Sequence, residues 1–410
     1  YEMLRSLVGS EMCIRDRYKG SGSRRDMEND RGVFRIVIFR YILEKLIYND
    51  EYAKIDKNMS DSNVGSRKNR NIRDNIFILN AIANSVNKNK KEAVDYQIYD
   101  VETCFDKLNL EECIMDLYDT GLDNDTLALL YLENKNCKVA IKLQNDITKR
   151  IDIKDIVLQG TLWSGLMCTT QMDKLALNSY KNKTTYLYKG KVEVPPLEMV
   201  DDILVPTKCN SDSIVANAQV NSFIESKKLK LSSKKCHKMH IGKKNENCST
   251  LNVHSEKMET SNQEKYLGDI LTNDGKIQKT VDDRIAKGHG KISQILAILS
   301  EIPLGKFKIQ MGLHLRQAML INGILFNSEA WHCLTETQIK QFQLIDNKLL
   351  RKVFNAHSKT SNAFLHLETG TMPIRYIIAS RRLNYLHNIL SRKEDDLVLR
   401  VFNAQSESPL

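Results

Sequence analysis

Glu198-Met199-Val200-Asp201-Asp202-Ile203-Leu204-Val205 is the stretch on which the reading of the chain turns. Two adjacent carboxylates stand between apolar runs, in the pattern of a strand, a tight turn and a returning strand. Such a pair is costly to bury unless a cation or a partner compensates it. At the tip of a hairpin it projects out of the sheet, where it can hold a metal ion. A third carboxylate and a phosphate-bearing substrate would complete that picture.

Composition sets the outer limits. A chain of 410 residues with 41% hydrophobic content has room for two or three domains with their own cores. No apolar run reaches the ~18 residues that a membrane span needs. The formal net charge of +10 suggests a polyanionic partner, and residues 278–410 are the most basic part. Nine cysteines occur without a CxxC pair, which argues against a zinc finger and for a reducing compartment. Cys236, His237 and His240 are explained by alternation along a strand rather than as a ligand cluster.

Working outward towards the N-terminus, residues 1–30 show no periodic pattern and no apolar signal-peptide core. Residues 4–17 look like translated sequencing adapter, and the segment is expected to be an unstructured artefact. Phe34, Ile38, Tyr41, Ile42, Leu46 and Ile47 fall at near-helical spacing, which predicts an amphipathic helix over residues 33–48. Residues 60–74 are polar and contain Gly65, with Arg67, Lys68, Arg70 and Arg73 clustered. They read either as a solvated loop or as a clamp for phosphates, since arginine offers bidentate phosphate contacts. Another helix follows. Residues 93–101 alternate like a strand and end in Asp100, with Phe105, Asp106 and Lys107 beyond. Asp100 can start a turn or supply a metal ligand. Residues 136–143 and 151–157 read as two paired strands. Gln159-Gly160 then opens an apolar helix over 167–180, where glycine lets the backbone approach a flat ligand.

On the C-terminal side of the Asp pair, residues 213–226 predict a helix, and residues 229–241 carry Lys234 and Lys235 towards a strand. Residues 266–270 predict a strand closed by the turn Asn273-Asp274-Gly275. After Gly275 the chain reads as helices over 281–299, 307–328, 335–354 and 374–390. Thr335 with Gln338 forms a capping box. Asp282-Asp283 and Asp395-Asp396 lie among charged residues and are expected to be solvated.

Taken together, the order of these stretches resembles the reverse transcriptases, and among them those of non-LTR (LINE-like) retrotransposons. Asp100-Val101-Glu102-Thr103-Cys104-Phe105-Asp106-Lys107 looks like the first palm motif of that family. Gln159-Gly160 with Trp163, Ser164 and Leu166 looks like the second, and Met199-Val200-Asp201-Asp202 like the third. Residues 229–235 and Tyr266-Leu267-Gly268 are similar to the fourth motif and the primer grip. Met199 stands where the family usually has Phe or Tyr. The resemblance covers residues 31–394, without the endonuclease and Cys/His modules of such elements, so the chain looks like a fragment or a degraded copy.

The resemblance implies an α+β, right-hand polymerase fold. Fingers and palm with an antiparallel sheet would occupy residues 31–275, and an all-helical thumb 276–410. It implies RNA-directed DNA polymerase activity with two Mg2+ ions, Mn2+ being a possible substitute, held by Asp100, Asp201, Asp202 and the Val101 carbonyl. Phe105 would be the steric gate, and Gln159 and Gly160 would line the nucleotide site. Arg67 and Arg73 would meet the triphosphate, and Lys235 would donate a proton to pyrophosphate. The partners would be an RNA template, a DNA primer and deoxynucleoside triphosphates, with nuclear residence following from the lifestyle of the element. The alternatives are a catalytically silent or truncated RNA-binding remnant and a group II intron maturase-like protein.

Overall fold

The computed structural model describes residues 12–18, 30–36, 38–89, 91–141, 148–155, 157–208, 210–243, 250–332 and 334–406. The fold is α+β, with an antiparallel sheet in its first part and helices throughout its C-terminal part. Among the described residues no helix is long and apolar enough to cross a membrane. The chain forms two compact units that interleave along the sequence. One comprises residues 1–71, 95–238 and 245–259, the other residues 72–94, 239–244 and 260–410.

The first unit is built around the strand Ala93–Asp100, whose residues 95–100 pair antiparallel with the strand Asp202–Thr207. That strand pairs in turn with Leu197–Met199. Residues 94–99 are buried without a break, as expected of a strand covered on both faces. Tyr99 and Val101 pack with Trp163, Leu166, Met172, Ile203 and Val205 in the main core. The helix Leu162–Lys181 crosses this core, capped by Thr161, whose hydroxyl accepts the Ser164 N–H at 3.2 Å.

Glu44 secures the same helix start. Its carboxylate accepts the Leu162 N–H at 3.0 Å and its carbonyl accepts the Trp163 indole N–H at 3.1 Å. This buries the polar side of the first helix, which runs Ile38–Lys57 rather than over 33–48. Arg40 pairs with Glu44 at 2.8 Å and donates to the Glu133 carbonyl at 3.0 Å. Ile38, Tyr41, Ile42 and Leu46, expected to face the core, are exposed. The helical spacing was correct; the paired and capping charges decide which face goes inward.

Part of the segment expected to be unstructured is drawn into a sheet. Met12–Tyr18 pairs antiparallel with Asp30–Arg35 and in parallel with residues of Asn136–Ile141. Asn136–Ile141 also pairs with Ile151–Lys154, as expected. The predicted helix over 213–226 is Asn210–Ser226.

The second unit has its own core, in which Val281, Ile292, Ile295, Leu320, Trp331, Phe342, Ile345 and Leu349 pack together. Its helices include Gln278–Ser300, Lys306–Leu315, Glu336–Val353 and Ile374–Leu390. The Thr335 capping box forms in full. The helix expected over 307–328 runs as an α-helix over Lys306–Leu315 and then winds as a π-helix over Arg316–Ile321. The strand expected over 266–270 is instead a hairpin, Gln263–Tyr266 with Asp269–Thr272, turning at Leu267 and Gly268. Both turn residues have positive φ, 45° and 91°, the geometry of a tight hairpin turn. Asp396, expected to be solvated, is buried and accepts the Val398 N–H at 2.9 Å at the start of the last helix, Leu397–Ser406.

Candidate active site

The site grows from the register of two strands. Asp100 closes Ala93–Asp100 and stands directly opposite Asp202, which opens Asp202–Thr207. Like charges on facing residues destabilise a sheet, so this pairing calls for a cation. The chain supplies one: the Lys235 ammonium lies 3.1 Å from Asp100 Oδ1.

Lys235 is delivered there by its backbone. Ser232 N–H donates to the Asp100 carbonyl at 2.9 Å, and Glu102 N–H donates to the Lys230 carbonyl at 2.8 Å. Val101, buried, forms a bridge with Leu231 between these bonds. Residues 233–235 then turn as one 3-10 segment ahead of the strand His237–Gly242. The strand towards which residues 229–241 were expected to lead begins at His237, and the turn before it is what aims Lys235 at Asp100.

The Asp pair sits on a strained turn. Met199 and Asp202 are cross-strand partners, so Val200 and Asp201 are the two turn residues. Val200 has φ of 60°, at a position where glycine is usual. A β-branched residue held there stores about 1–3 kcal/mol of strain. The turn packs closely on residue 65, which is glycine: a Cβ added there would lie 2.7 Å from both Val200 N and Val200 Cγ2 and 3.1 Å from Thr169 Oγ1. Gly65→Ala is therefore expected to push the Asp-bearing turn out of place. A displacement near 1 Å costs on the order of 10²-fold in kcat. Steady-state kinetics beside circular dichroism would check this, with near-wild-type kcat counting against it.

The other expected site residues are distributed as follows. Phe105 follows Asp100 on the short helix Cys104–Lys107 and packs, half-buried, against the main core. Gln159 is half-buried and Gly160 exposed on the loop before Leu162–Lys181, Gly160 having φ of 109°. Arg67 is buried, and its guanidinium is committed to its own segment. It donates to Asp56 Oδ1 at 2.7 Å, to the Asn63 carbonyl at 3.0 Å and to the Ser60 carbonyl. Expected to meet a triphosphate, this arginine instead shapes the loop. Arg73 belongs to the second unit, where it donates to Glu329 Oε1 at 2.6 Å and lies over the Tyr385 ring. The Leu267-Gly268 turn is also in that unit. Arg284 donates to the Gly268 carbonyl at 2.9 Å and Asn327 to that of Leu267 at 3.1 Å.

Two buried acids of the first unit went unnoticed in the sequence, Asp173 and Glu198. Burial pushes the Asp173 carboxyl up to about 7 and raises Glu198 well above the carboxylate range. Glu198 showed only as an acid after Leu197 and before Met199-Val200, and Asp173, next to Lys174, carried no signal at all.

Among the described residues no group of three His, Cys, Asp or Glu is gathered closely enough to hold a metal ion. What the strands supply is the facing pair Asp100 and Asp202 with Asp201 beside it. These donors are all carboxylate oxygens, a set suited to Mg2+ rather than to a softer metal.

The family model described as reverse transcriptase (RNA-dependent DNA polymerase) matches residues 27–271. The chain belongs to the reverse transcriptase family. Its match takes in Asp100, the Asp201-Asp202 hairpin and Lys235 together. Among solved structures, the chain is similar to the telomerase from Candida albicans in complex with a telomeric RNA fragment, at 12% identity and a TM-score of 0.44, covering 90% of this chain and 65% of that one. It is similar to the telomerase from Candida tropicalis with its RNA fragment at 12% identity and a TM-score of 0.47, covering 96% and 64%. The RNA-dependent RNA polymerase of a human picobirnavirus gives 10% identity and a TM-score of 0.45, covering 96% and 64%. The reverse transcriptase chain thus spans 64–65% of the length of these three. No curated protein matches it.

Proposed function

We propose that the chain is the polymerase portion of a non-LTR (LINE-like) retrotransposon protein, an RNA-directed DNA polymerase that copies element RNA into DNA. The observation that carries the polymerase part of this reading is the facing pair Asp100 and Asp202 with Lys235 at 3.1 Å, inside a reverse transcriptase domain; the element class rests on the sequence resemblance. Residues 31–275 act as fingers and palm and residues 276–410 as thumb. The basic excess of the latter suits a grip on template–primer phosphates, which makes binding salt-dependent and largely sequence-blind. Nuclear action goes with this element lifestyle.

In the reaction the primer 3′ hydroxyl loses its proton to solvent as its oxygen attacks the α-phosphorus of a deoxynucleoside triphosphate, and the bond to the bridging oxygen of the leaving pyrophosphate breaks. Mg2+ held by Asp100, Asp201 and Asp202, with the Val101 carbonyl, would supply charge neutralisation at the entering and leaving oxygens. Lys235, tethered beside Asp100, donates a proton to the departing pyrophosphate. The Phe105 ring lies under the sugar and rejects a 2′ hydroxyl. Gln159 and Gly160 line the nucleotide, the latter because positive φ and no Cβ let the backbone come close. Arg67 holds the loop that carries Gly65, and Arg73 is engaged by Glu329 and the Tyr385 ring.

Primer extension on poly(rA)/oligo(dT) with dTTP and Mg2+ tests the proposal. The expected result is elongation that weakens steeply as salt rises. Duplex binding without elongation would replace it with the silent RNA-binding reading.

A further inference from the structure

Residues 60–65 are pinned to the hairpin strand Leu197–Met199 by an unusually buried set of polar groups. Val64 N–H donates to the Glu198 carbonyl at 3.0 Å, and Glu198 N–H donates to the Ser62 carbonyl at 3.1 Å. Asn63 Nδ2 donates to Glu198 Oε2 at 2.8 Å and to the Thr169 carbonyl at 3.2 Å, while Asn63 Oδ1 accepts the Gly65 N–H at 3.2 Å. One turn along the helix from Thr169, Asp173 accepts the Ser60 N–H, at 2.9 Å to Oδ2 and 3.2 Å to Oδ1. Glu198, Asn63, Ser62 and Thr169 are 0% exposed and Asp173 is 1% exposed.

Two carboxyls in so dry a place are an expensive way to fill a core. The charged groups that bear on them are each other, Arg67 and Asp61. What the pair does is geometric. It clamps both ends of residues 60–65, and the clamped segment presents Gly65 to Val200, the strained residue just before Asp201. Strain of that kind persists only where the surroundings over-determine it.

We propose that Glu198 and Asp173 are positioning residues for nucleotidyl transfer: with Asn63 they lock residues 60–65 against the hairpin, so that the Val200-Asp201 turn is held in the conformation that presents Asp201 and Asp202. The inference rests on the polymerase reading given above. It assigns the locking to hydrogen bonds that a neutral carboxyl can make, so glutamine should serve in place of Glu198 and leucine should not.

The test compares the full chain with Glu198→Gln and Glu198→Leu by primer extension and by thermal melts across pH. Glu198→Gln is expected to keep kcat within ~3-fold of wild type. Glu198→Leu, which keeps the volume but not the acceptor, is expected to lose on the order of 10²-fold in kcat with KM for dTTP little changed. The melts need no catalysis. A carboxyl raised by folding contributes stability that is fully present below its unfolded value, about 4.3 for Glu, and is lost as pH rises through the folded one. The Tm of wild type should therefore fall as pH rises above that unfolded value, and that of Glu198→Gln should fall less. Equal kcat for the leucine and glutamine variants overturns the positioning role. Wild type that elongates while its melts match those of Glu198→Gln at every pH overturns the neutral-carboxyl lock. Wild type that does not elongate, with melts as expected, sinks the polymerase reading and the catalytic part of this inference, and leaves the lock as a purely structural device.

Discussion

Asp201→Asn is expected to abolish templated incorporation, by ~10³-fold or more in kcat, while the melting temperature stays level or rises. The argument is electrostatic. Asn has the shape of Asp, so the turn with Val200 and the pairing of Met199 with Asp202 are kept. What disappears is one negative charge beside a facing pair of carboxylates, a loss that relaxes repulsion in the resting protein. On the proposed mechanism the same charge would help hold Mg2+, whose charge neutralisation would be worth several kcal/mol at the transition state. Opposite signs for stability and activity mark a functional charge, since a structural one would lose both. Asp282→Asn is the control: Asp282 is exposed on the helix Gln278–Ser300, and its neutralisation should leave kcat as it was. Wild-type kcat in Asp201→Asn would remove the catalytic centre from this hairpin.

The hairpin and Asp100 were legible because both depend on local pattern. Apolar runs on each side of two acids specify a strand, a turn and a strand, and period-two alternation into Asp100 specifies another. Lys235 was legible as a nearby basic residue, although the turn that aims it was not. Partner choice over long range was hidden. Arg67 looked like a phosphate ligand because its charge was visible and its partner Asp56, eleven positions earlier, was not marked by any motif. Glu198 and Asp173 passed as incidental acids because each finds its partners in residues 60–63, over a hundred positions away. The first helix shows the same limit from the other side. Its apolar stripe was read correctly and placed inward, but Arg40 and Glu44 had stronger claims, through Glu133 and the unpaired amide end of the Leu162–Lys181 helix. The interleaving of the two compact units is a fourth case, since no change in composition marks residues 72–94 as partners of the C-terminal helices.

The largest stability effect is expected from Asp346→Ala, in the helical unit. Asp346 is fully buried and accepts two bonds from Arg316, from Nε at 2.6 Å and from Nη2 at 2.7 Å. Arg316 opens the π-helical stretch Arg316–Ile321 and also donates to the Met372 carbonyl at 3.3 Å. Arginine keeps its proton in any accessible state, so removing the carboxylate strands a buried cation whose remaining acceptor is a single carbonyl. Breaking such a pair costs about 3–5 kcal/mol, enough to lower the melting temperature of this unit by several degrees or to unfold it. Replacing both partners by apolar residues, Arg316→Met with Asp346→Leu, removes the stranded charge together with its desolvation cost, and is expected to restore stability to within ~1 kcal/mol of wild type or above it. Urea melts of the two single variants and the double variant close the cycle. Additive losses would mean that the two side chains act independently. A double variant as stable as wild type would mean that the pair exists for specificity: it fixes where the π-turn lies along residues 316–321 and so how the chain continues into Asn322–Ile324, a winding that the apolar pattern over 307–328 does not itself encode.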